Sequence, residues 1–257
     1  MIVCADDFGI SIEVNSAIYE LALLNKISAV SVMMNQDFLL NDVEKLIILK
    51  NKGIRIGLHL EFGAAEGFIQ KIKHLFFHLN GINDARESYY LEIASQYDKF
   101  VKLLSFIPDH IDGHRHLHQL PIISEALVLF LRNRNCLPLL VRNSSIPISC
   151  LVSINHPTFV VKGIILTLMG NYFKLKLRRY NINTNNYLLG GYPFSSSINL
   201  SSVYKKYLKK MNREDDVFFV HPSVNDKSQH VQKSIASRRY QEYLWLKEFD
   251  WNSNSAT

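Results

Sequence analysis

The stretch His110-Ile111-Asp112-Gly113-His114-Arg115-His116-Leu117-His118 lies between two segments of helical pattern, residues 87–106 and residues 122–134. It holds four of the ten histidines of the chain, together with one aspartate. Because neighbouring imidazolium charges repel one another, neutral histidines gathered beside a carboxylate are typical of a divalent metal site. The alternative interpretation is a solvated loop, or histidines that are hydrogen-bonded within the core.

A short apolar run followed by an amphipathic segment recurs about seven times along the chain. The strand candidates are residues 2–5, 29–34, 54–60, the start of the histidine stretch, 139–142, 187–190 and 217–220. The helical segments between and after them are residues 11–24, 41–50, 87–106, 122–134, 160–179, 200–211 and 236–249. This alternation predicts a mostly parallel α/β structure, either a barrel or an open wound sheet. We predict one domain over residues 1–250 and a disordered tail over residues 251–257.

The composition is that of an ordinary globular protein, with 47% hydrophobic residues, 20% charged residues and a formal net charge of +6. The basic residues form several small clusters and not one block, so we expect no nucleic-acid partner. Three widely spaced cysteines without a C-x-x-C pair favour a reducing compartment. The first residues lack the basic-then-apolar pattern of a secretory signal. We therefore expect a cytoplasmic protein.

Polar side chains with useful chemistry follow four of the predicted strands. They are Asp6 and Asp7 after the first strand, His59 and Glu61 after the third, Asp112 to His118 after the fourth, and His221 after the last. In parallel α/β folds the carboxyl ends of the strands meet at one edge, so these groups could share one site. Each can be explained singly as a helix cap or a core histidine, but four coincidences at strand ends are a poor joint explanation.

One divalent metal would suit this set of residue types. A carboxylate and two imidazoles leave positions open for water and substrate, as hydrolytic metal sites require. A second carboxylate could take a proton from that water, and a histidine on the far side could protonate the leaving group. Adjacent residues in an extended chain point to opposite sides, so Asp6 and Asp7 would divide these roles, in an order the sequence leaves open. His114 would share a helical face with His118 or a strand face with His116.

Four blocks of sequence carry a resemblance to a known family. The blocks are Cys4-Ala5-Asp6-Asp7-Phe8-Gly9-Ile10-Ser11, Gly57-Leu58-His59-Leu60, the histidine stretch and Val220-His221-Pro222. In this order they resemble the YdjC-like carbohydrate deacetylases, the group that includes chitooligosaccharide and hopanoid-associated deacetylases. The resemblance covers residues 2–249 and is weak over residues 143–186, which we expect to contribute to substrate choice. Ser223 stands where glycine or alanine is more usual in this family.

The resemblance implies a distorted (β/α) barrel of about seven parallel strands, similar to a TIM barrel. It also implies a metal-dependent hydrolase that binds one divalent ion, Mg²⁺ or Zn²⁺, and removes an N-acetyl group from an amino sugar. By position in the family motifs, Asp7, His59 and His114 match the metal ligands. The implied partner is therefore an amino-sugar substrate, either an oligosaccharide or a glycolipid.

The same resemblance implies catalytic roles for two further residues. Asp6 matches the acid beside the ligands and is the candidate general base, and His221 is the candidate general acid or oxyanion partner. Asp112 and His118 are expected near the site, with His118 as a second candidate for the acid. We expect His110 to be structural.

Two other functions stay open at this point. One is another metal-dependent amidase or phosphoesterase on the same scaffold, and the other is a sugar-binding protein without catalytic turnover. A phosphoesterase would need more basic residues near the metal, where the site blocks offer mainly Arg115. Residues 61–85 have the character of a functional loop. Its aromatic residues could stack on a sugar or form local core, and they include Phe62, Phe68, Phe76 and Phe77.

The apolar tract of residues 160–169 is followed by a basic segment that contains Lys174, Lys176, Arg178 and Arg179. Such a tract could lie on a membrane surface near a lipid-linked sugar. A core helix with a basic end is the simpler interpretation, and we expect that one. A homodimer is a further option that the sequence leaves open.

Overall fold

The computed structural model of the protein describes residues 1–63, 82–134, 137–154, 156–194, 198–211, 214–225 and 233–251. Its strands are β1 (Ile2–Phe8), β2 (Ala29–Val32), β3 (Arg55–Leu60), β4 (His110–Gly113), β5 (Leu140–Val141), β6 (Leu188–Leu189) and β7 (Val217–Val220). They form one curled sheet in the order β5-β4-β3-β2-β1-β7-β6, in which all neighbouring pairs are parallel. Chain order is kept around the sheet with β7 beside β1, so the predicted distorted barrel of seven strands is confirmed.

Helices follow the strands and cover the outside of the sheet. They are α1 (Ile12–Leu23), α2 (Val43–Asn51), α3 (Ile82–Leu104), α4 (Pro121–Arg134), α5 (Ile148–Ser153), α6 (Pro157–Arg179), α7 (Leu200–Leu208) and α8 (Lys233–Glu248). Ser11 caps α1, because its hydroxyl oxygen accepts a hydrogen bond from the backbone nitrogen of Val14 at 3.3 Å. Pro157 occupies the first turn of α6, where a missing N–H group costs nothing.

The two faces of β3 show how the sheet separates core from site. Ile56 and Leu58 belong to the large apolar cluster of buried residues, whereas Gly57 and His59 alternate with them and share the other face. A Cβ atom at Gly57 would lie 2.3 Å from the ring of His110, so only glycine leaves room for that imidazole. The alternation of β3 therefore places a polar layer on the face opposite the large apolar core.

Irregular backbone joins the two edge strands of the sheet, β5 and β6. The nitrogen of Leu188 donates to the carbonyl oxygen of Ser145 at 2.8 Å, and the nitrogen of Val141 donates to that of Asn183 at 2.8 Å. The Asn185 side chain also accepts from the backbone nitrogen of Asn143 at 2.7 Å. Part of the region with the weakest resemblance, residues 143–186, thus closes the barrel.

Several element boundaries differ from the predicted ones. β1 continues through residues 6–8 instead of stopping at residue 5, and β5 and β6 each have only two residues. Helix α6 begins three residues earlier than predicted, and α5 was not predicted. Short strands at a barrel seam have little apolar pattern of their own, which explains why their ends were misplaced.

Two predicted features fall partly outside the described residues. Phe62 is buried and its ring meets that of Tyr89 edge-on at 5.7 Å, so it belongs to the local core. Phe68, Phe76 and Phe77 lie outside the described residues, as do residues 252–257 of the predicted tail. Trp251 is described, and its indole N–H donates to the carbonyl oxygen of Lys26 at 3.1 Å. Across the described ranges, no helix combines the length and the apolar character that crossing a bilayer requires.

Candidate metal-binding and catalytic site

A cavity of about 610 Å³ opens at the carboxyl ends of the strands. Its lining includes the residues that the sequence singled out at separate strand ends, namely Asp6, Asp7, His59, His114 and His221. The structure therefore brings these five side chains together. Parallel strands present their carboxyl ends at the same edge, which is the physical reason for the meeting.

Asp7 has a backbone conformation that a regular strand does not allow. Its φ angle is +71°, in the left-handed region, and the pairing of β1 with β2 shifts register between Ala5 and Phe8. A left-handed residue that is not glycine costs on the order of 1 kcal/mol. The bulge interrupts the alternation of side chains, so Asp6 and Asp7 both line the cavity. The expectation that adjacent acids point to opposite sides of an extended chain is therefore wrong here.

Among the described residues, three groups of side chains bring their donor atoms within 4.8 Å of one another: Asp7, His59 and His114; Asp6, His59 and Asp112; and Cys4, His110 and Asp112. All three members of the first group line the cavity, where water and substrate can reach them. The other two groups share Asp112, which is fully buried and bonded to neighbouring side chains. The first group is therefore the strongest candidate for a metal site.

The geometry of the first group is compact. The Oδ1 atom of Asp7 lies 3.0 Å from Nδ1 of His114 and 3.3 Å from Nε2 of His59. Burial by itself raises the pKa of the Asp7 carboxyl, but Arg239 and His114 hold it well below its usual range. One ionised carboxylate and two imidazoles that converge in this way suit a divalent ion.

His59 is oriented by the carboxylate of Asp112. Its Nδ1 atom lies 2.6 Å from Oδ1 of Asp112, which turns Nε2 towards Asp7. Burial by itself lowers the pKa of His59, but the charge of Asp112 and these hydrogen bonds raise it to about 10. A carboxylate behind a ligating histidine is common in metal sites, because it sets the tautomer and strengthens the ligand. Asp112 is therefore near the site, as expected, in a supporting position.

Arg142 connects the carboxylates of Asp6 and Asp112. Its Nη1 and Nη2 atoms donate to Oδ1 and Oδ2 of Asp6 at 2.8 and 2.6 Å, and Nη2 also lies 2.9 Å from Oδ2 of Asp112. The side chain is only 1% exposed. Burial alone would lower the pKa of the guanidinium, but Asp112 and Asp6 raise it above its usual range. Arg142 was not among the residues predicted from the sequence, although it follows β5 directly and so lies at a strand end like the others.

Arg239 is a second buried cation that the sequence analysis missed. It comes from α8 and donates from Nη2 to Oδ2 of Asp7. Arg239 lies within a helix and does not follow a strand, so only the packing of α8 against the barrel could identify it. The sequence blocks offered mainly Arg115 as a cation near the site, and the structure corrects this to include Arg142 and Arg239.

The histidine stretch divides between the cavity and the core. After β4 it forms a 3₁₀ segment, residues 114–119, in which Arg115 and His116 have φ angles of +55° and +61°. Because of these two left-handed residues, His114 and His116 line the cavity, whereas His118 points away from it. His118 donates from Nε2 to the carbonyl oxygen of Arg142 at 2.6 Å, which removes it from the candidates for the acid.

His110 and His116 differ in how their ring nitrogens are engaged. Nε2 of His110 lies 2.9 Å from the hydroxyl of Ser31 beneath the cavity. His116 lines the cavity and its ring meets that of Phe219 edge-on at 5.6 Å. Its Nδ1 atom is buried without a hydrogen-bond partner among the described residues. Burial holds the pKa of His116 well below its usual range, so the ring is neutral at pH 7.

His221 follows β7 on the other side of the cavity. Burial lowers its pKa to about 4, although the Asp7 carboxylate opposes the shift. Its backbone nitrogen donates to Oε2 of Glu242 at 2.6 Å, and the hydroxyl of Tyr192 donates to Oε1 of the same carboxyl at 2.7 Å. Glu242, on α8, was also missed by the sequence analysis, and it holds the backbone of His221 in place.

Glu242→Gln is expected to gain stability relative to the native protein as the pH rises. Burial raises the pKa of Glu242 from near 4.5 to about 7, so between these values the folded state binds more protons than the unfolded chain. The stability of the native protein therefore falls across this window, and the variant avoids a loss on the order of 3 kcal/mol at pH 7 and above. Urea unfolding from pH 4.5 to 8 measures the difference.

Glu248→Gln on the same helix is the matched control, because its side chain is exposed. Its stability should equal that of the native protein at every pH of the series. If Glu242→Gln followed the native protein too, the carboxyl of Glu242 would have an ordinary pKa.

Comparison with known proteins finds one family model that matches nearly the whole chain and several relatives that match part of it. A family model described as YdjC-like protein matches residues 1–256. A carbohydrate deacetylase from Clostridium beijerinckii is 25% identical over 143 residues, and a chitooligosaccharide deacetylase from Escherichia fergusonii is 28% identical over 141 residues. These alignments cover 52% and 51% of this chain and 57% and 54% of the relatives. The chain thus spans little more than half the length of the curated relatives it matches.

A solved structure supports the fold over a longer range. The crystal structure of a protein from Enterococcus faecalis, provisionally described as a cellobiose-phosphate cleavage protein, matches with a TM-score of 0.64. The match covers 98% of this chain and 92% of that chain, at 18% sequence identity. At this identity the likeness shows a shared fold.

Proposed function

The chain belongs to the YdjC-like protein family, and from that premise we propose that it is a metal-dependent hydrolase that removes an N-acetyl group from an amino sugar and releases acetate. The observation that carries the proposal is the convergence of Asp7, His59 and His114 in one cavity, with Asp6 beside them. The activities named for the two bacterial relatives support a sugar carrying an N-acetyl group. The substrate would be an oligosaccharide or a glycolipid.

Asp7, His59 and His114 would hold the divalent ion. One carboxylate and two imidazoles match the ligand sets of catalytic sites that keep positions open for water and substrate. Two imidazoles favour Zn²⁺ over Mg²⁺, because Mg²⁺ prefers oxygen ligands. When bound, such an ion supplies a water molecule of lowered pKa and polarises the amide carbonyl.

The hydrogen bonds of the two adjacent acids support a division of their roles. The Oδ1 atom of Asp7 faces both histidines of the proposed ligand set, which suits a ligand, and its Oδ2 atom accepts from Arg239. Arg142 holds Asp6 through a bidentate contact, which fixes the plane of the Asp6 carboxylate at the cavity. Asp6 would therefore take the proton of the attacking water and return it to the leaving amine.

His221 would act as a hydrogen-bond donor to the carbonyl oxygen on which negative charge develops. A pKa of about 4 leaves its ring neutral at pH 7, with one N–H group available. A neutral imidazole is a poor proton source but a good donor to an oxyanion. Of the two roles considered for His221, its environment supports the oxyanion partner.

The proposal is tested by incubating the metal-loaded protein with a panel of N-acetylated amino-sugar oligomers and glycolipids. Mass spectrometry should show the loss of one acetyl group from at least one member, with an equal amount of acetate released. The release of phosphate from a phosphorylated panel without acetate release would favour a phosphoesterase. Binding of a sugar without any product would favour a sugar-binding protein.

Asp6→Asn is expected to lower the rate of acetate release by roughly a hundredfold to a thousandfold, because the amide cannot accept the proton. Its metal content should stay at the native level, since Asp6 is not assigned as a ligand. Both quantities are measured on the same preparation. Loss of the metal together with the activity would instead assign Asp6 to the ligand set.

A further inference from the structure

The positive charge of the chain is concentrated in one part of the sequence. The 88 residues between Glu125 and Glu214 contain 13 lysines and arginines and no aspartate or glutamate. The rest of the chain has 16 basic and 23 acidic residues. Helices α5, α6 and α7 all lie in this basic part, so an anionic partner would find no repelling carboxylate of these helices.

Helix α6 has two apolar stripes on opposite sides. The inner stripe packs against the barrel and consists of Gly163, Leu166, Gly170, Phe173 and Leu177. The outer stripe is exposed to between 42% and 67% and consists of Val161, Ile165, Leu168, Tyr172 and Leu175. Its members are spaced by four, three, four and three residues, which places them along one face of the helix. A contiguous apolar stripe of this kind on a protein surface marks an interaction site.

A basic groove of about 490 Å³ lies between α4 and α6, beside the C-terminal part of this stripe. Leu129 and Tyr172 contribute apolar surface to it, and Arg86, Arg132 and Arg179 contribute cations. Two further lining residues, Lys176 and Glu125, face each other at 3.5 Å and offset one another. The groove therefore combines an apolar wall with unbalanced positive charge.

We propose that the outer stripe of α6 and the basic groove together bind the surface of an anionic phospholipid bilayer. The apolar side chains would enter the boundary between headgroups and acyl chains, and the arginines of the groove would meet the phosphates. Phe159 and Lys162, at the start of α6, line the catalytic cavity. The helix that carries the stripe therefore also borders the site. This inference does not depend on the proposed hydrolase activity.

Other occupants of the surface fit it less well. A second copy of the chain in a symmetric contact would bring the same arginines together, and like charges oppose such an interface. A nucleic acid would meet the cations but leave the apolar stripe uncovered. An anionic bilayer satisfies both the charge and the apolar stripe.

Co-sedimentation of the full chain with vesicles tests the proposal. We expect binding to vesicles that contain phosphatidylglycerol and little binding to phosphatidylcholine alone, with a decrease as the ionic strength rises. Arg132→Glu combined with Arg179→Glu should weaken binding at least about tenfold. Leu168→Ser combined with Leu175→Ser should weaken it by a similar factor, because it removes the most exposed apolar side chains of the stripe.

Two matched pairs outside the basic part serve as controls. Lys52→Glu with Lys99→Glu makes the same charge change at exposed positions, and Leu40→Ser with Leu91→Ser removes leucines that are 66% and 58% exposed. Both controls should bind like the native protein. The proposal is overturned if the native protein does not bind the anionic vesicles at low salt, or if the controls lose binding equally. It is also overturned if light scattering shows a dimer that only the α6 leucine variant dissociates, or if duplex DNA binds where vesicles do not.

Discussion

Asp7→Asn is expected to lose the bound metal and on the order of a thousandfold of the acetate-releasing activity. The amide is neutral and aims either an oxygen or an N–H group at the histidines, so the ligand set loses its only anionic member. Asp7 also balances Arg239, which would remain buried without its carboxylate partner. Metal analysis after gel filtration and initial rates of acetate release measure the two effects.

Asp98→Asn on α3 is the matched control, because the carboxylate is 53% exposed and pairs with Arg134 at the surface. It should keep the metal and the activity. Loss of activity with full retention of metal in Asp7→Asn would make Asp7 the base and contradict the division of roles proposed for the two acids. Retention of both quantities would remove Asp7 from the site.

Arg142→Met is expected to destabilise the protein by about 3 to 5 kcal/mol at pH 7, the usual cost of removing one partner from a buried charge network. The substitution leaves Asp6 and Asp112 buried without the cation that holds them. An unpaired buried carboxylate gains a raised pKa, so the penalty should shrink as the pH falls and the carboxyl takes up a proton. Urea unfolding at pH 5 and pH 7 measures the loss of stability and shows whether it shrinks as the pH falls.

Two further variants separate charge pairing from packing. Arg134→Met removes an arginine that is 43% exposed and forms a surface ion pair, so it should cost less than about 1 kcal/mol. Arg142→Met combined with Asp6→Asn should recover part of the loss, because the second change removes one of the unpaired charges. A single Arg142→Met variant as stable as Arg134→Met would show that the network does not need its cation.

The pattern of apolar runs was sufficient for a parallel α/β structure and for much of the candidate site, and the resemblance to a known family added the barrel. Asp6, Asp7, His59, His114 and His221 each follow an apolar run, and the ends of parallel strands converge whatever the details of packing. The prediction that these residues share one site therefore needed only the local pattern of each strand. It failed at strand lengths, because two-residue strands at the seam leave almost no pattern.

Only the tertiary structure decided which groups pair with each other. Arg142 and Asp6 are 136 residues apart, and Arg239 and Asp7 are 232 residues apart, so no local pattern joins them. The left-handed conformation of Asp7 is also a product of its surroundings, since aspartate in a strand pattern predicts regular alternation.

Helix α6 is a second case in which the sequence pattern was not sufficient, here for the protein surface. Its sequence predicts a core helix with a basic end, because both of its stripes are apolar and the pattern alone does not tell which one faces the barrel. Packing buries the stripe that contains Gly163 and Gly170, where the small residues allow close approach to Leu151 and Ser145. The larger side chains of the opposite stripe are left outside. The sequence determined an apolar helix, and packing decided which of its faces is open to a partner.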